Sequence, residues 1–438
     1  MVATAIFLVT YAIVAFNRFP GLRLDRSGAA VVGAVAMVAA GVLPLEAAWR
    51  AINHETLLIL LGMMVLNVFL EDAGFFEWVA GRILARAVSP TRMLVELAAV
   101  SGLLSALFLN DTVCLMLTPP LVRILRAGRL PLAPFLITLA MSANAGSVLT
   151  LTGNPQNMLI GVYSGWSYLA FLGRMLLPGV VSLAILAVWV VWWYRRELVM
   201  AADGRAGPSR NRDREDAGED KSKVRESGEA RPVLLEGGSP AGQRPIDVGL
   251  LRKTLVVLAG TLIGFLLHPD LPLVAMTGAA VLLVWSGRSP TAVLHRVNWV
   301  LLAFFAGLFV VVEGFRTTGV LERLNAIAGP WYGTTAATQV PLFGLVTVVA
   351  SNVVSNVPFV VLMEHELGHF ADPPLMWLVL ALASTLAGNL TIPGSVATLI
   401  VLEQAGPEAR VSFREFSAVG VPVTVLSVVV GLGLLMLV

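Results

Sequence analysis

"SANAGSVLTLTGNPQNMLIG", residues 142–161, sits inside a long apolar run yet is crowded at its centre with helix breakers and small polar groups. In hydrocarbon every backbone N–H and C=O needs an internal partner, so such a break is costly unless protein or trapped water meets it. Composition fixes the setting. The chain has 438 residues, 57% hydrophobic and only 13% charged, with a mean hydropathy of +0.82. Soluble domains carry about 25% charged residues, so the chain reads as an all-α polytopic membrane protein embedded in a lipid bilayer. A net charge of +2 gives no basic footprint for nucleic acid. The single cysteine, Cys114, excludes an intrachain disulfide and a thiol cluster. Residues 1–16 lack the basic start of a cleavable signal peptide, so none is expected there.

Apolar runs recur at about 3–17, 28–45, 56–70, 94–122, 133–162, 172–194, 250–267, 271–286, 298–313, 340–363, 375–402 and 416–438. A crossing takes roughly 20 residues. One interruption stands out: residues 201–247 are polar, mixed in charge and rich in Gly and Pro. That composition predicts a disordered linker, with a charged docking segment as the alternative. The chain then divides into an N-terminal transmembrane repeat (1–199), a linker (200–248) and a C-terminal transmembrane repeat (249–438).

The two halves resemble each other. "LLGMMVLNVFLEDAG" (60–74) and "FAGLFVVVEGFRTTG" (305–319) share a glycine interval, Gly62 to Gly74 and Gly307 to Gly319. "SALFLNDTVCLMLTPP" (105–120) faces "SNVVSNVPFVVLM" (351–363), pairing Asn110 with Asn356. "LTLTGNPQNMLI" (149–160) faces "LTIPGSVATLIV" (390–401), pairing Gly153 with Gly394. Three matches in one order at an offset near 245 residues predict a duplication.

Charge orients the halves, because cytoplasmic loops are enriched in Lys and Arg. The basic loops are 18–26 (Arg18, Arg23, Arg26), 82–92 (Arg82, Arg86, Arg92), 123–129 (Arg123, Arg126, Arg129) and 195–253. The single apolar run between 82–92 and 123–129 has both flanks basic, which predicts a re-entrant hairpin turning near Asn110. Its arms of about 15 residues span roughly 22 Å. Ten crossings follow, with both termini outside the cell membrane and the 201–247 linker cytoplasmic. Residues 340–363 form the second hairpin, entering from the opposite face. About five crossings per half make the two repeats inverted, each with a re-entrant hairpin and a broken helix. In secondary transporters of this build the site lies at the midplane between repeats.

The opening stretch then has a purpose. Asn154 can cap a half-helix while Pro155 takes its first position, where a missing N–H costs nothing. The positive end of the half-helix points into a cavity and attracts an anion or polar solute. Residues 375–402 repeat the device, with Pro393 and Gly394 ahead of Ser395 as the expected cap. The competing reading is two kinks made for packing.

"NDTVCLMLTPP", "LTGNPQNMLIG", "SNVVSNVPF" and "GNLTIPGSVATLIV" resemble the hairpin tips and broken helices of the ion-transporter superfamily. That group includes arsenite permeases, NhaD-type sodium/proton antiporters, the melanosomal P protein, and citrate and dicarboxylate transporters. "TIPGSVATL" is similar to arsenite-permease "TPIGS"-like stretches, and "GNPQN" resembles the "GDPPN" of the P-protein and NhaD branch. The tips read Asn110-Asp111-Thr112 and Ser355-Asn356-Val357 in place of the paired Ser-Asn-Thr of the dicarboxylate transporters. The resemblance covers nearly the whole chain outside the linker. It implies an elevator-type secondary transporter of the arsenite-permease or anion-permease kind.

Asp111 falls at a hairpin tip, where an ionisable group is expensive and usually functional. It could take a coupling proton or Na⁺, or simply cap the second arm. Glu313 is expected at the interface, and Glu71, Asp72 and Glu96 are expected to face water. "HELGH" (365–369) matches the H-E-x-x-H zinc pattern through His365, Glu366 and His369. Zinc catalysis needs both histidines on one helical face and a third ligand. Gly368 and "ADPP" cut any helix short, so a solvated external loop is expected. The expected function is a permease for a small anion or oxyacid, arsenite-like or carboxylate, coupled to H⁺ or Na⁺. A Na⁺/H⁺ antiporter centred on Asp111 is the near alternative, and a membrane zinc metalloprotease the alternative of another class. The expected site is Asn110, Asp111, Thr112, Thr152, Gly153, Asn154, Asn157, Ser355, Asn356, Thr391, Gly394, Ser395 and Thr398. No cofactor, catalytic residue or metal is expected, and a homodimer is compatible with this reading.

Overall fold

Apolar runs bounded by capping residues set the order of elements. The protein is described here by a computed structural model covering residues 1–16, 24–86, 89–203, 246–406, 409 and 411–437. Among the described residues it is helical, with short 3₁₀ turns and no strand. The chain opens with α1 (Val2–Phe16), α2 (Arg26–Ala39), α3 (Leu45–Ala51), α4 (His54–Asp72) and α5 (Phe75–Arg86). A helical hairpin follows, α6 (Pro90–Leu107) and α7 (Asn110–Ala127), then α8 (Leu132–Ser147), α9 (Pro155–Ser164), α10 (Tyr168–Trp193) and α11 (Arg195–Ala202). The second stretch has α12 (Val248–Leu267), α13 (Leu271–Trp285), α14 (Pro290–Leu294), α15 (Trp299–Arg316) and α16 (Val320–Tyr332). It continues with a second hairpin, α17 (Ala336–Val354) and α18 (Asn356–Met363), then α19 (Pro373–Ala387), α20 (Val396–Ala405) and α21 (Phe413–Leu437). Residues 204–245 of the expected linker, and the basic-loop residues Arg18 and Arg23, lie outside the described residues.

Seven of these helices, α4, α6, α10, α12, α15, α17 and α21, are long and apolar enough to cross a membrane. Shorter apolar helices include α1, α2, α8, α13, α19 and α20. Large apolar side chains stand exposed along α10, α12, α17 and α21, the surface a bilayer would cover. By contrast α8 and α19 are buried almost all round, from Pro134 to Ser147 and from Leu375 to Ala387. A helix apolar on every face belongs in a core, and these two form its centre.

Helix starts and crossings recur along the chain. Asp25 and Asp270 accept the backbone N–H of Gly28 and Leu273 to start α2 and α13. Asn53 and Asn298 accept those of Thr56 and Leu301 to start α4 and α15. Each such bond is worth about 1 kcal/mol. Helix α4 crosses α13 at Gly62, where a Cβ would lie 2.7 Å from the carbonyl carbon of Ala275. Helix α15 crosses α2 at Gly307, where a Cβ would lie 2.7 Å from the carbonyl carbon of Ala30. The second glycine of each sequence pair, Gly74 and Gly319, has φ of +74° and +66°, a conformation that costs glycine nothing. In the centre α8 packs on α6 and α7, α19 on α17 and α18, α7 on α20, and α9 on α18.

One end of the bundle gathers the starts of α2 and α15 and the last turns of α4, α7 and α20. There Arg296, ahead of α15, pairs with Glu71 (2.5 Å) and with Asp72, and Arg126 of α7 donates to the Ala405 carbonyl at the end of α20. The acidic pair expected to face water is therefore engaged, because α14 brings Arg296 over the end of α4. Glu96 likewise pairs with Arg92 one turn away, at 2.8 Å, and Glu313 with Arg316 at 3.0 Å.

Candidate functional site

Side chains meet backbone groups freed at both breaks in the central helices, as a hydrocarbon setting requires. Between α8 and α9, Asn154 accepts the N–H of Asn157 at 2.8 Å, closing the cap, and its amide donates to the Ser147 hydroxyl at 2.9 Å. The Asn157 amide donates to the carbonyls of Ser147 (3.0 Å) and Thr150 (2.9 Å), two acceptors left free by the break. Gly153 permits a close approach: a Cβ there would meet the carbonyl oxygens of Ser147 at 2.5 Å and Ser105 at 2.8 Å. Its own carbonyl accepts the Asn110 N–H at 3.0 Å, joining the broken helix to the tip of the α6–α7 hairpin. Thr152 turns away from the centre and bonds the Tyr168 hydroxyl at 3.1 Å.

The second break has different chemistry. Between α19 and α20 a 3₁₀ turn spans Ile392–Gly394. Asn352 of α17 donates to the Ala387 carbonyl at 2.7 Å and accepts from the Thr391 hydroxyl at 2.7 Å. Ser395 occupies the cap position of α20 but makes no cap bond. Its hydroxyl donates instead to Asn144 of α8 at 3.0 Å, because the central amide lies closer to hand than the helix start. Thr398 is buried, its hydroxyl without a partner.

Asn144 is the meeting point. Its Oδ1 accepts from the Asn110 amide at 3.0 Å and from Ser395, and its amide donates to Asn389 Oδ1 at 2.9 Å. Asn389 in turn donates to the Met141 carbonyl at 3.1 Å. Asn144 and Asn389 are 2% and 1% exposed, so this junction of hairpin and both broken helices is dry. Sequence reasoning passed over both residues, although each stands inside a quoted break. Their type gave the only available signal.

Beside this junction lies a cavity of about 310 Å³. Of the expected site residues, Asn110, Asp111, Ser355, Asn356, Gly394 and Ser395 line it, while Thr112, Thr152, Gly153, Asn154, Asn157, Thr391 and Thr398 do not. Thr112 accepts from the Asn67 amide at 3.3 Å, and the rest of that second group supports the breaks. Asn110 and Asn356 share the cavity wall, with Asn110 engaged by Asn144 rather than by Asn356. Asp111 follows Asn110 in the first turn of α7, whose cap position is Leu109. The cavity is ringed by the first turns of six helices, through Asn110 and Asp111 of α7, Gln156 of α9, Asn356 of α18, Val396 of α20, Ser27 of α2 and Leu301 of α15. Helix starts present free N–H groups and the positive end of the macrodipole. Asn356 Oδ1 is buried without a hydrogen-bond partner. Ser355 adopts φ +76°, a conformation costing a non-glycine residue about 1–3 kcal/mol and common at functional sites. Toward one end of the bundle the wall continues through Arg26, Asn298 and Glu403. Arg26 was read from the sequence as a loop residue, and Glu403 was passed over.

The "HELGH" segment forms a 3₁₀ turn over Leu367–His369 rather than an α-helix. His365 and His369 point to different carboxylates, Glu364 at 3.8 Å and Glu366 at 3.7 Å. Among the described residues no three His, Cys, Asp or Glu side chains are grouped to hold a metal.

Comparison with known proteins agrees with this architecture. The chain is 31% identical over 473 residues to the silicon efflux transporter LSI3 of Oryza sativa subsp. japonica, covering 98% of this chain and 96% of that one. It is 24% identical to the putative transporter arsB of Dictyostelium discoideum, covering 95% of this chain and 88% of that one. The human P protein is 27% identical over 98% of this chain and 59% of its own length. Among solved structures, the YdaH transporter of Alcanivorax borkumensis matches with a TM-score of 0.53 over 99% of this chain and 95% of that one. At 14% identity that likeness concerns the fold. A family model described as "Citrate transporter" matches residues 11–371. The chain therefore belongs to the citrate transporter family, whose helical membrane fold it shares, and is a transporter rather than an enzyme.

Proposed function

We propose that this transporter moves a small oxyacid or anion through the cavity beside Asn144, by alternating access coupled to H⁺ or Na⁺. The observation that carries the reading is the 310 Å³ cavity ringed by six helix starts. Its volume lies at the lower end of the range for small-ligand sites, about 300–1,000 Å³. Amides, hydroxyls and helix dipoles supply recognition, with Arg26 as the cation on the wall toward its mouth. That chemistry suits a weakly ionised oxyacid at least as well as a carboxylate. The names of the rice silicon transporter and the arsB-like protein favour the same direction. Asp111, on the wall, is the residue we assign to the coupling ion.

The halves 1–199 and 249–438 are read as inverted repeats. Gly62 on Ala275 and Gly307 on Ala30 are reciprocal crossings, because Gly62 and Gly307, like Ala30 and Ala275, stand 245 residues apart, the interval that the central Asn144–Asn389 pair also spans. The core α6–α10 with α17–α21 would then travel against a frame of α1–α4 and α12–α15. The cavity mouth at Arg26, Asn298 and Glu403 is assigned to the cytoplasmic side of the cell membrane, with both termini and "HELGH" outside.

The test is solute movement in everted membrane vesicles across arsenite, silicate, citrate, sulfate and Na⁺, with a pH-sensitive dye. At least one oxyacid or anion should move with a coupled proton or sodium flux. Asn356→Ala should weaken its apparent affinity about tenfold, the loss of one hydrogen bond of about 1.4 kcal/mol. If Na⁺ alone exchanges for H⁺ and Asp111→Asn abolishes it, the antiporter reading replaces this one. If no solute moves, the substrate reading fails.

A further inference from the structure

Among the described residues, the frame's share of the cavity wall comes from the starts of α2 and α15. Arg26 and Ser27 open α2, Asn298 caps α15, and Val300, Phe304 and Phe305 follow within two turns. The frame holds a second pair of the same build, because α13 packs on α4 as α2 packs on α15. The caps Asp25 and Asp270, the caps Asn53 and Asn298, and the crossings of Gly62 on Ala275 and Gly307 on Ala30 all repeat at 245 residues. The two pairs therefore correspond residue for residue, without a gap. At that interval Asn298 answers to Asn53, and Phe304 and Phe305 answer to Ile59 and Leu60, so the cap amide and the apolar wall are kept. Charge is not kept. Arg26 answers to Leu271, and Val300 answers to Glu55 in the first turn of α4. Val300 and Glu55 are both exposed, and Arg26 is half-buried. One face of the frame thus offers a guanidinium to the cavity, where the matching face offers a leucine and, beside it, a carboxylate.

Resting on the inverted-repeat, alternating-access reading above, in which the core carries the cavity from the α2–α15 face to the α13–α4 face, we propose that Arg26 binds the solute as an anion and makes the cavity hold it more tightly on this face than on the other. A guanidinium presents a planar fork of donors that matches a carboxylate or another oxyanion. Asp111 and Glu403 share the wall but belong to α7 and α20 of the core. They travel with the solute, so their repulsion acts on both faces, and the difference between the faces comes from the frame. On the far face the anion loses the Arg26 donors to Leu271 and gains Glu55 as a like charge. Losing one charge-assisted bond at a partly exposed site changes affinity about tenfold. The Glu55 carboxylate, on the water side, adds a smaller factor that salt screens. Unequal affinity does not drive net flux, which the gradients do. It lets the Arg26 face load at a low concentration of the anion and the opposite face unload into a high one.

An anion that binds one state more tightly draws the population toward that state, by at most the ratio of its two affinities. The test therefore needs no transport. Spin labels are placed through Leu45→Cys and Gly368→Cys in a Cys114→Ala background. Leu45 opens α3, which packs on α15 of the frame, and Gly368 lies in the 3₁₀ turn that packs on α19 of the core. Both are exposed, and a Cβ at Gly368 meets nothing. Pulsed distance measurements on the full chain in detergent compare potassium citrate, sulfate and arsenate with potassium chloride of equal ionic strength. At least one of the three anions should raise the population at this structure's distance, relative to the other population, by about tenfold. Arg26→Gln should remove most of that shift while keeping the anion-free distribution, which reports its folding. Glu55→Arg, at an exposed position on the far face, should also cut the shift, although Arg26 is intact. A distribution that none of the three anions alters, a shift that survives Arg26→Gln, or one that ignores Glu55→Arg overturns the proposal. An anion-driven shift in a protein that moves no solute would sink only the transport reading. Movement of one of these anions by a protein whose distances ignore it would sink only the asymmetry.

Discussion

Replacing Asn144 with alanine removes three side-chain hydrogen bonds from the dry centre of the protein: those from Asn110 (3.0 Å) and Ser395 (3.0 Å), and the one given to Asn389 (2.9 Å). Hydrogen bonds inside membrane bundles are worth about 0.6 kcal/mol each on average, which sets a floor of about 2 kcal/mol for three. Leaving buried partners unmatched costs about 1–3 kcal/mol apiece when they cannot turn to water. Asn389 Oδ1 is left unmatched in the core, since the bond to the Met141 carbonyl is given by its amide, whereas Asn110 and Ser395 border the cavity, where water can reach them. Only Asn389 bears close to the full penalty, so the expected loss is about 3 kcal/mol. Asn389→Ala should cost less, because it unmatches only one amide hydrogen and one carbonyl. Unfolding midpoints of the purified protein in one detergent, for Asn144→Ala, Asn389→Ala and the double variant, give the coupling between the pair directly. That coupling should fall between about 0.6 and 1.7 kcal/mol. An Asn144→Ala protein as stable as the parent would refute the claim that this amide joins the hairpin to both broken helices.

Gly62→Val and Gly307→Val should destabilise alike, each by about 1–3 kcal/mol or more, since the new side chain meets backbone that cannot turn aside; an unfolding series in detergent showing either variant at parental stability would contradict the reciprocal crossings. Arg296→Gln should cost less than about 1 kcal/mol, because the Arg296 side chain is 34% exposed and its partners Glu71 and Asp72 are 30% and 22% exposed. The difference should shrink further in high salt, and a salt-independent loss of several kcal/mol in the same unfolding assay would show that the pair is buried in function.

The features legible in the sequence are those that a bilayer dictates locally. Composition placed the chain in a membrane, since 13% charge cannot solvate a soluble surface of this size. Asn154 followed by Pro155 announced a helix start, and the structure puts the cap bond from Asn154 to Asn157 there. Pro393 and Gly394 announced the second break, which became a 3₁₀ turn. The basic flanks of 94–122 announced a turn in one apolar run, and α6 and α7 part between Leu107 and Asn110. In each case the cause lies within a few residues, because backbone groups with no water at hand must be met nearby or not exposed at all.

Side-chain partners were decided elsewhere. Ser395 looked like a cap and became a donor to Asn144, 251 residues away. Thr152 looked like a cavity donor and turned to Tyr168 instead. Glu71 and Asp72 looked solvated and were met by Arg296, 225 and 224 residues further on. Arg26 looked like a loop charge and came to share one cavity wall with Glu403. Sequence by itself determined that this is a helical membrane protein with two interrupted central helices, because apolar length and helix breakers act over one or two turns. Only the tertiary structure decided which polar groups face the cavity and which hold it together. A buried amide or hydroxyl takes whichever partner the crossing of distant helices brings within about 3 Å, and no local pattern encodes that choice.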